Sequence, residues 1–210
     1  MSNCGEKVSP QDRLLLEATC QGEACSKISN YTWSLHIVNQ SVDGFSVSPV
    51  HHVNIYLQMN TRRLFINDIF KLEDDTRKHV HYAVKASVKL DDGKEFDGNF
   101  SFIVNSPPKM FSVDASCHVV PMKGEAISTD FSITCSGWHD ADKPLTYEFT
   151  YQDKYGMVII QAGSLNTVTT KLPVGEASNK YELLLEVLVG DSYQDFTSTR
   201  LLVKVSVSKE

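Results

Sequence analysis

The chain of 210 residues has no apolar run of the roughly 18 residues that cross a bilayer. Its longest, Leu183 to Gly190, is broken by Glu186, so direct membrane insertion by this stretch is not expected. Positive charge is in short supply. Lys and Arg number 20 against 26 Asp and Glu, a net charge of -6, which excludes a nucleic-acid partner bound through a basic face. The amino terminus, MSNCGEKVSPQ, lacks the basic and apolar regions of a signal peptide, which leaves a cytosolic chain or a piece of a longer exported one. G-x-S-x-G, Walker, dinucleotide and H-E-x-x-H signatures are missing too, so no catalytic residue or cofactor is assigned and no enzyme is expected.

Helical spacing is persuasive nowhere, whereas strict alternation of apolar and polar residues runs through the chain. That is the mark of strands with one buried and one wet face. Tyr31, Trp33, Leu35 and Ile37 share one face of a segment, and Tyr82, Val84, Ala86, Val88 and Leu90 share one face of another. Phe96, Phe100, Phe102 and Val104 follow on a third. Between the last two, Asp91-Asp92-Gly93 reads as a tight hairpin, because glycine takes the positive φ such turns need. With 41% hydrophobic and 22% charged residues, the composition is that of a soluble globular protein rather than a disordered or fibrous one.

The pattern occurs twice. Pro107-Pro108 cannot join a hydrogen-bonded ladder and reads as an extended connector, placing one domain at residues 1–106 and another at 107–210. On either side, LLLEATC answers FSITC, the strand around Trp33 answers Leu145, Tyr147, Phe149 and Tyr151, and Tyr82 answers Tyr181. Each copy of about a hundred residues, with roughly seven short strands, fits a fibronectin type III or immunoglobulin-like β-sandwich. An immunoglobulin domain would carry a cysteine on its penultimate strand. Tyr82 and Tyr181 stand there instead, so fibronectin type III is the better description, with Trp33, Tyr82, Tyr147 and Tyr181 expected in the cores.

Several residues invite chemistry. His51 and His52 are adjacent, and His79 and His81 share one strand face, but zinc needs three or four ligands and none follows at a recognisable spacing. His139, Asp140 and Asp142 offer hard oxygen donors of the kind calcium takes, yet the segment runs into Lys143-Pro144, which is ordinary turn chemistry, so no metal site is assigned. Five cysteines, Cys4, Cys20, Cys25, Cys117 and Cys135, are an odd number for a disulfide framework. A Cys20–Cys25 bridge would pin a turn, and a Cys117–Cys135 bridge would join the first two strands of the second domain, leaving Cys4 over; in a cytosolic chain all five would be free thiols. Asn30, Asn39 and Asn99 head N-x-[ST] triplets, the acceptor pattern for glycans.

The stretch CSGWHDADKPLTYEF, with Cys135-Ser136-Gly137-Trp138, Asp140 and Pro144-Leu145-Thr146-Tyr147-Glu148-Phe149, resembles the receptor for egg jelly (REJ) region of the polycystin-1 family. Upstream, NSPPKMFSVDASCHVVPMKGEA is similar to the segment that precedes it in that family, and CQGEACSKISNYTWSL resembles the family's cysteine pair before a Tyr-x-Trp strand. The segment NQSVDGFSVSPVHHVN is longer than the family pattern. The resemblance implies tandem fibronectin-like modules on the extracellular face of the plasma or ciliary membrane, in a large protein whose autoproteolytic segment, lipase-like module and channel-like spans lie elsewhere. It implies export, and with it both disulfides and all three glycans. The expected function is a structural module that binds a protein or glycan ligand and takes part in regulating those other regions. The rival is an intracellular adaptor.

Overall fold

The computed structural model describes residues 7–9, 14–41, 44–49, 61–66, 81–111 and 116–207. Cys4, His51, His52 and His79 lie outside them, as does the side chain of Asn39. The fold is all-β, with strands throughout and helix confined to short 3-10 turns among the described residues. Contacts divide the chain into two compact units, Met1–Ser106 and Pro107–Glu210.

In the first unit the strands are β1 (Lys7–Val8), β2 (Leu14–Glu17), β3 (Ile28–Ser41), β4 (Gly44–Pro49), β5 (Arg63–Ile66), β6 (His81–Leu90) and β7 (Glu95–Val104). One sheet has the order β1-β7-β6-β3-β4, and β2 pairs with β5 to form a second, smaller layer. Alternation in the sequence becomes packing here. Leu14 and Leu16 of β2 and Leu64 and Ile66 of β5 are buried against Leu35, Tyr82, Val84 and Phe102 of the larger sheet. Stacking of the Tyr82 and Phe102 rings, 5.6 Å apart, adds an aromatic preference to the area removed from water.

The second unit is built from β8 (Lys109–Met110), β9 (Ser116–Val120), β10 (Lys123–Glu125), β11 (Asp130–Ser136), β12 (Trp138–His139), β13 (Thr146–Asp153), β14 (Gly156–Gly163), β15 (Thr167–Lys171), β16 (Glu182–Gly190) and β17 (Phe196–Ser206). Its large sheet runs β10-β17-β16-β13-β14 and its small one β15-β11-β9. The two large sheets match strand for strand. In each, a short strand lies parallel to the last one, β1 beside β7 and β10 beside β17, and the remaining neighbours are antiparallel. Phe131, Ile133, Phe149, Leu185 and Val187 form the middle of a core that Tyr147 and Trp138 extend.

Three sequence expectations change. Trp33 touches the core but is only half-buried, because its indole N–H donates 2.9 Å to the Thr61 carbonyl at the edge of the small layer. Phe96 keeps the inward parity of its strand yet is 57% exposed, because it lines an open hollow instead of joining the packed core. Tyr181 is no core residue; it is half-buried with a φ of 65°, just ahead of β16, and its carbonyl accepts the Val205 N–H. The hairpins explain the slip. Leu90 N–H bonds to the Lys94 carbonyl in one unit and Asp191 N–H to the Asp195 carbonyl in the other, so Leu90 and Asp191 are equivalent, and Tyr82 corresponds to the buried Leu183. Trp138, on the short strand β12, is part of the second core.

Candidate functional site

Sulfur atoms define the first feature. Cys20 and Cys25 are bridged across the loop that follows β2, and Cys117 is bridged to Cys135, directly opposite it on β9 and β11. The second bridge is fully within one sheet and almost out of solvent, so it ties neighbouring strands rather than the two layers, unlike an immunoglobulin bridge. Cys20 lies past the end of β2, whereas Cys135 is inside β11. Their matching places in the sequence repeat are therefore not equivalent places in the fold.

Carboxylates gather at one end of the second unit. Asp140 and Asp142 lie between β12 and β13, and Asp191 follows β16; one oxygen from each falls within 4.8 Å of the others. Sequence spacing suggested the first two but missed Asp191, because only the β13–β16 pairing brings position 191 beside the earlier loop. Local hydrogen bonds explain the arrangement. Asp140 Oδ1 accepts the Asp142 N–H at 2.8 Å, Asp191 Oδ1 accepts the N–H groups of Tyr193 and Asp195 at 2.8 and 3.1 Å, and Ser192 N–H bonds to the Asp142 carbonyl. These are the side-chain-to-backbone bonds with which Asp shapes turns. Oxygen donors of this kind suit a hard cation, but calcium takes six to eight ligands, roughly twice what three carboxylates offer singly. His139 stands apart from the cluster and packs its exposed ring 5.5 Å from that of Phe111.

On the first unit the acceptor asparagines are spread. Asn30 is half-buried at an irregularity where β3 meets β6, and Asn39 lies on β3 opposite Ser46 of β4. Part of the NQSVDGFSVSPVHHVN segment thus lies on the paired strands β3 and β4. Asn99 is exposed on β7 opposite Lys85. Nearby, Asp97 accepts hydrogen bonds from Lys85, 2.7 Å away, and from the Ser87 hydroxyl at 2.6 Å. Those two donors hold its carboxyl below the usual carboxylate range, the lysine first. The neighbouring Asp92 is held low by Lys94 in the same way. His81 is exposed at the start of β6.

Behind this charged face lies a groove of about 590 Å³, with Trp33, Ala86, Val88, Phe96, Gly98 and Phe100 in its walls and Asn99 at its margin. A second hollow of about 510 Å³, on the other unit, mixes Tyr151 and Val174 with Asp153, Lys154 and Glu176. Among the described residues, the three aspartates are the group that meets the geometry for shared metal ligation.

Comparison with known families then gives a match to the REJ domain over residues 1–210. The chain belongs to the REJ domain family. Human polycystin family receptor for egg jelly is 31% identical over 114 residues, covering 48% of this REJ chain and 5% of the relative. The mouse protein of the same name is 23% identical over 219 aligned positions, covering 98% of this chain and 10% of that one. The chain therefore spans about a tenth or less of the curated relatives it matches. Among solved structures, the FN1–FN3 domains of chicken CNTN1 superpose with a TM-score of 0.40 at 10% identity, over 97% of this chain and 66% of that one. Murine CEACAM1b gives 0.36 at 10% identity, over 97% and 96%. No helix among the described residues is long and apolar enough to cross a membrane.

Proposed function

We propose that this REJ chain is an extracellular piece of a polycystin-type membrane protein, in which two β-sandwiches serve as a structural module and present a binding surface for a protein or glycan at the cell surface. The observation that carries this reading is the pair of disulfides within a chain that matches the REJ family from end to end. Disulfides persist in oxidising compartments and are rare in the cytosol. Filled apolar cores favour support and recognition over catalysis, and the remainder of the longer polypeptide is the first partner. Through it, the module contributes to regulating the cleavage and channel regions that the family resemblance implies.

The test is mass spectrometry of the chain secreted from animal cells behind a heterologous signal peptide. Intact Cys20–Cys25 and Cys117–Cys135 linkages, with glycan on at least one acceptor asparagine, are expected. Reduced cysteines with bare Asn30, Asn39 and Asn99 would overturn the reading and favour an intracellular adaptor with free thiols.

A further inference from the structure

The groove on the first unit has a specific cause. Across the large sheet, Trp33, Ala86 and Gly98 are direct neighbours on β3, β6 and β7. Ala86 and Gly98 contribute almost no side chain beside the indole, while Phe96 and Phe100 on the same face of β7 rise on either side of Gly98. A Cβ built on Gly98 meets no atom within 4 Å, so the notch is open space. Its floor is apolar and aromatic, its volume is about 590 Å³, and Phe96 is 57% exposed. Residues Leu16 to Gln21, at the end of β2 and beyond it, form the remaining wall, and a largely apolar hollow of this size that stays open to solvent marks a binding surface.

Beside the notch stands Asn99, the residue after Gly98, exposed and followed by Phe100-Ser101. It is the acceptor residue of an N-x-S triplet and also part of the groove's margin. We propose that the occupant of the groove is the N-linked glycan of Asn99, whose first sugars fold over the edge of β7 at Gly98 and pack on Trp33, Phe96 and Phe100. Apolar C–H faces and acetamido methyl groups of N-acetylglucosamine match an aromatic floor, and their polar rims match the water outside. β7 permits this route, since among the described residues β1 accompanies it at Ile103 and Val104 and no strand pairs with its Gly98 edge on that side. Tethering sets the occupant apart from a free ligand, because a covalently attached sugar is held at high effective concentration. The inference rests on the exported reading above.

The experiment compares the secreted chain with Ser101→Ala, which deletes the Asn99 acceptor triplet, with Ser41→Ala, which deletes that of Asn39, and with Gly98→Val, which fills the notch but keeps the triplet. Readouts are glycopeptide mass spectrometry, binding of an apolar fluorescent dye, and nuclear Overhauser contacts between acetamido methyls and the Trp33 ring. Expected are an occupied Asn99, methyl-to-Trp33 contacts, and at least a twofold rise in dye binding for Ser101→Ala but not Ser41→Ala. Gly98→Val should stay glycosylated and lose the contacts. An occupied Asn99 with no contacts and unchanged dye binding in Ser101→Ala would overturn the inference. So would dimerisation of the glycosylated chain abolished by Phe96→Ser, which assigns the groove to a second copy. A bare Asn99 beside intact disulfides and a glycan on Asn30 or Asn39 defeats the inference while the exported reading stands; bare asparagines with reduced cysteines defeat both.

Discussion

Asp191 does more for the second unit than its place in a turn suggests. It is 3% exposed, and one carboxylate oxygen accepts two backbone N–H groups, those of Tyr193 and Asp195. Without the side chain, the N–H of buried Asp195 loses its acceptor, at about 1–3 kcal/mol for a buried group left unsatisfied, while that of exposed Tyr193 can turn to water. Asp191→Ala is expected to lower the unfolding free energy of this unit by about that amount in urea titration, and Asp191→Asn, which keeps an acceptor oxygen, by less. Asp97 makes a different prediction because it is open to solvent. Its folded pKa lies below the usual carboxylate range, chiefly through Lys85 and then Ser87, so its stabilising effect is complete above the unfolded value and is lost as pH falls through the folded one. Replacing it with Asn should lower stability modestly at neutral pH, where the effect is complete, and leave it unchanged in strong acid, which flattens the dependence of stability on pH below about 4, read from thermal unfolding at stepped acidity.

At the scale of strands, the alternating runs made the large sheets legible, since β6, β7 and β13 lie where the apolar residues recur at every second position. Legibility failed where a property depends on the layer opposite. Phe96 has core parity but no cover, and Tyr181 follows a sequence spacing that the hairpin bonds displace by two residues. Asp191 joins Asp140 and Asp142 through a strand pairing that no local spacing encodes. Cysteine spacing pointed to the bridges as pairs, while the fold distinguishes their energetic roles. Cys117–Cys135 closes 18 residues of sequence inside a buried sheet, and Cys20–Cys25 closes five in an exposed loop. Loop entropy alone assigns about 3 kcal/mol to the longer closure and about 2 to the shorter. Burial widens the gap, because the larger bridge also fills core volume. Cys117→Ala with Cys135→Ala should therefore destabilise the second unit by about 3 kcal/mol or more, and Cys20→Ser with Cys25→Ser should cost the first unit less, both measured by denaturant unfolding.

Among the described residues, the chain holds two cores that share no residue, and each hydrogen-bonded sheet lies within one unit. The attachment of residues 108–111 bears on where one folding unit begins. Thr197 Oγ1 donates 2.6 Å to the Pro108 carbonyl, Met110 pairs with Trp138 through β8 and β12, and Phe111 N–H bonds to the Gly137 carbonyl. Those residues thus belong to the second sandwich. On the other side, Asn105 is buried and its N–H bonds to the Val8 carbonyl beside β1. A fragment of residues 107–210 keeps the second unit's core and sheets, including the Cys117–Cys135 bridge, and about a hundred residues suffice for an independent core. It is expected to fold alone, with a single cooperative transition at the temperature of the corresponding step in the full chain. A fragment starting at residue 112 loses β8 and the Thr197 bond, uncovering Trp138 of the core, and should melt lower by several degrees. Equal melting of the two fragments by calorimetry would show that the strap is dispensable, and failure of the longer one to fold would show that the two sandwiches stand only together.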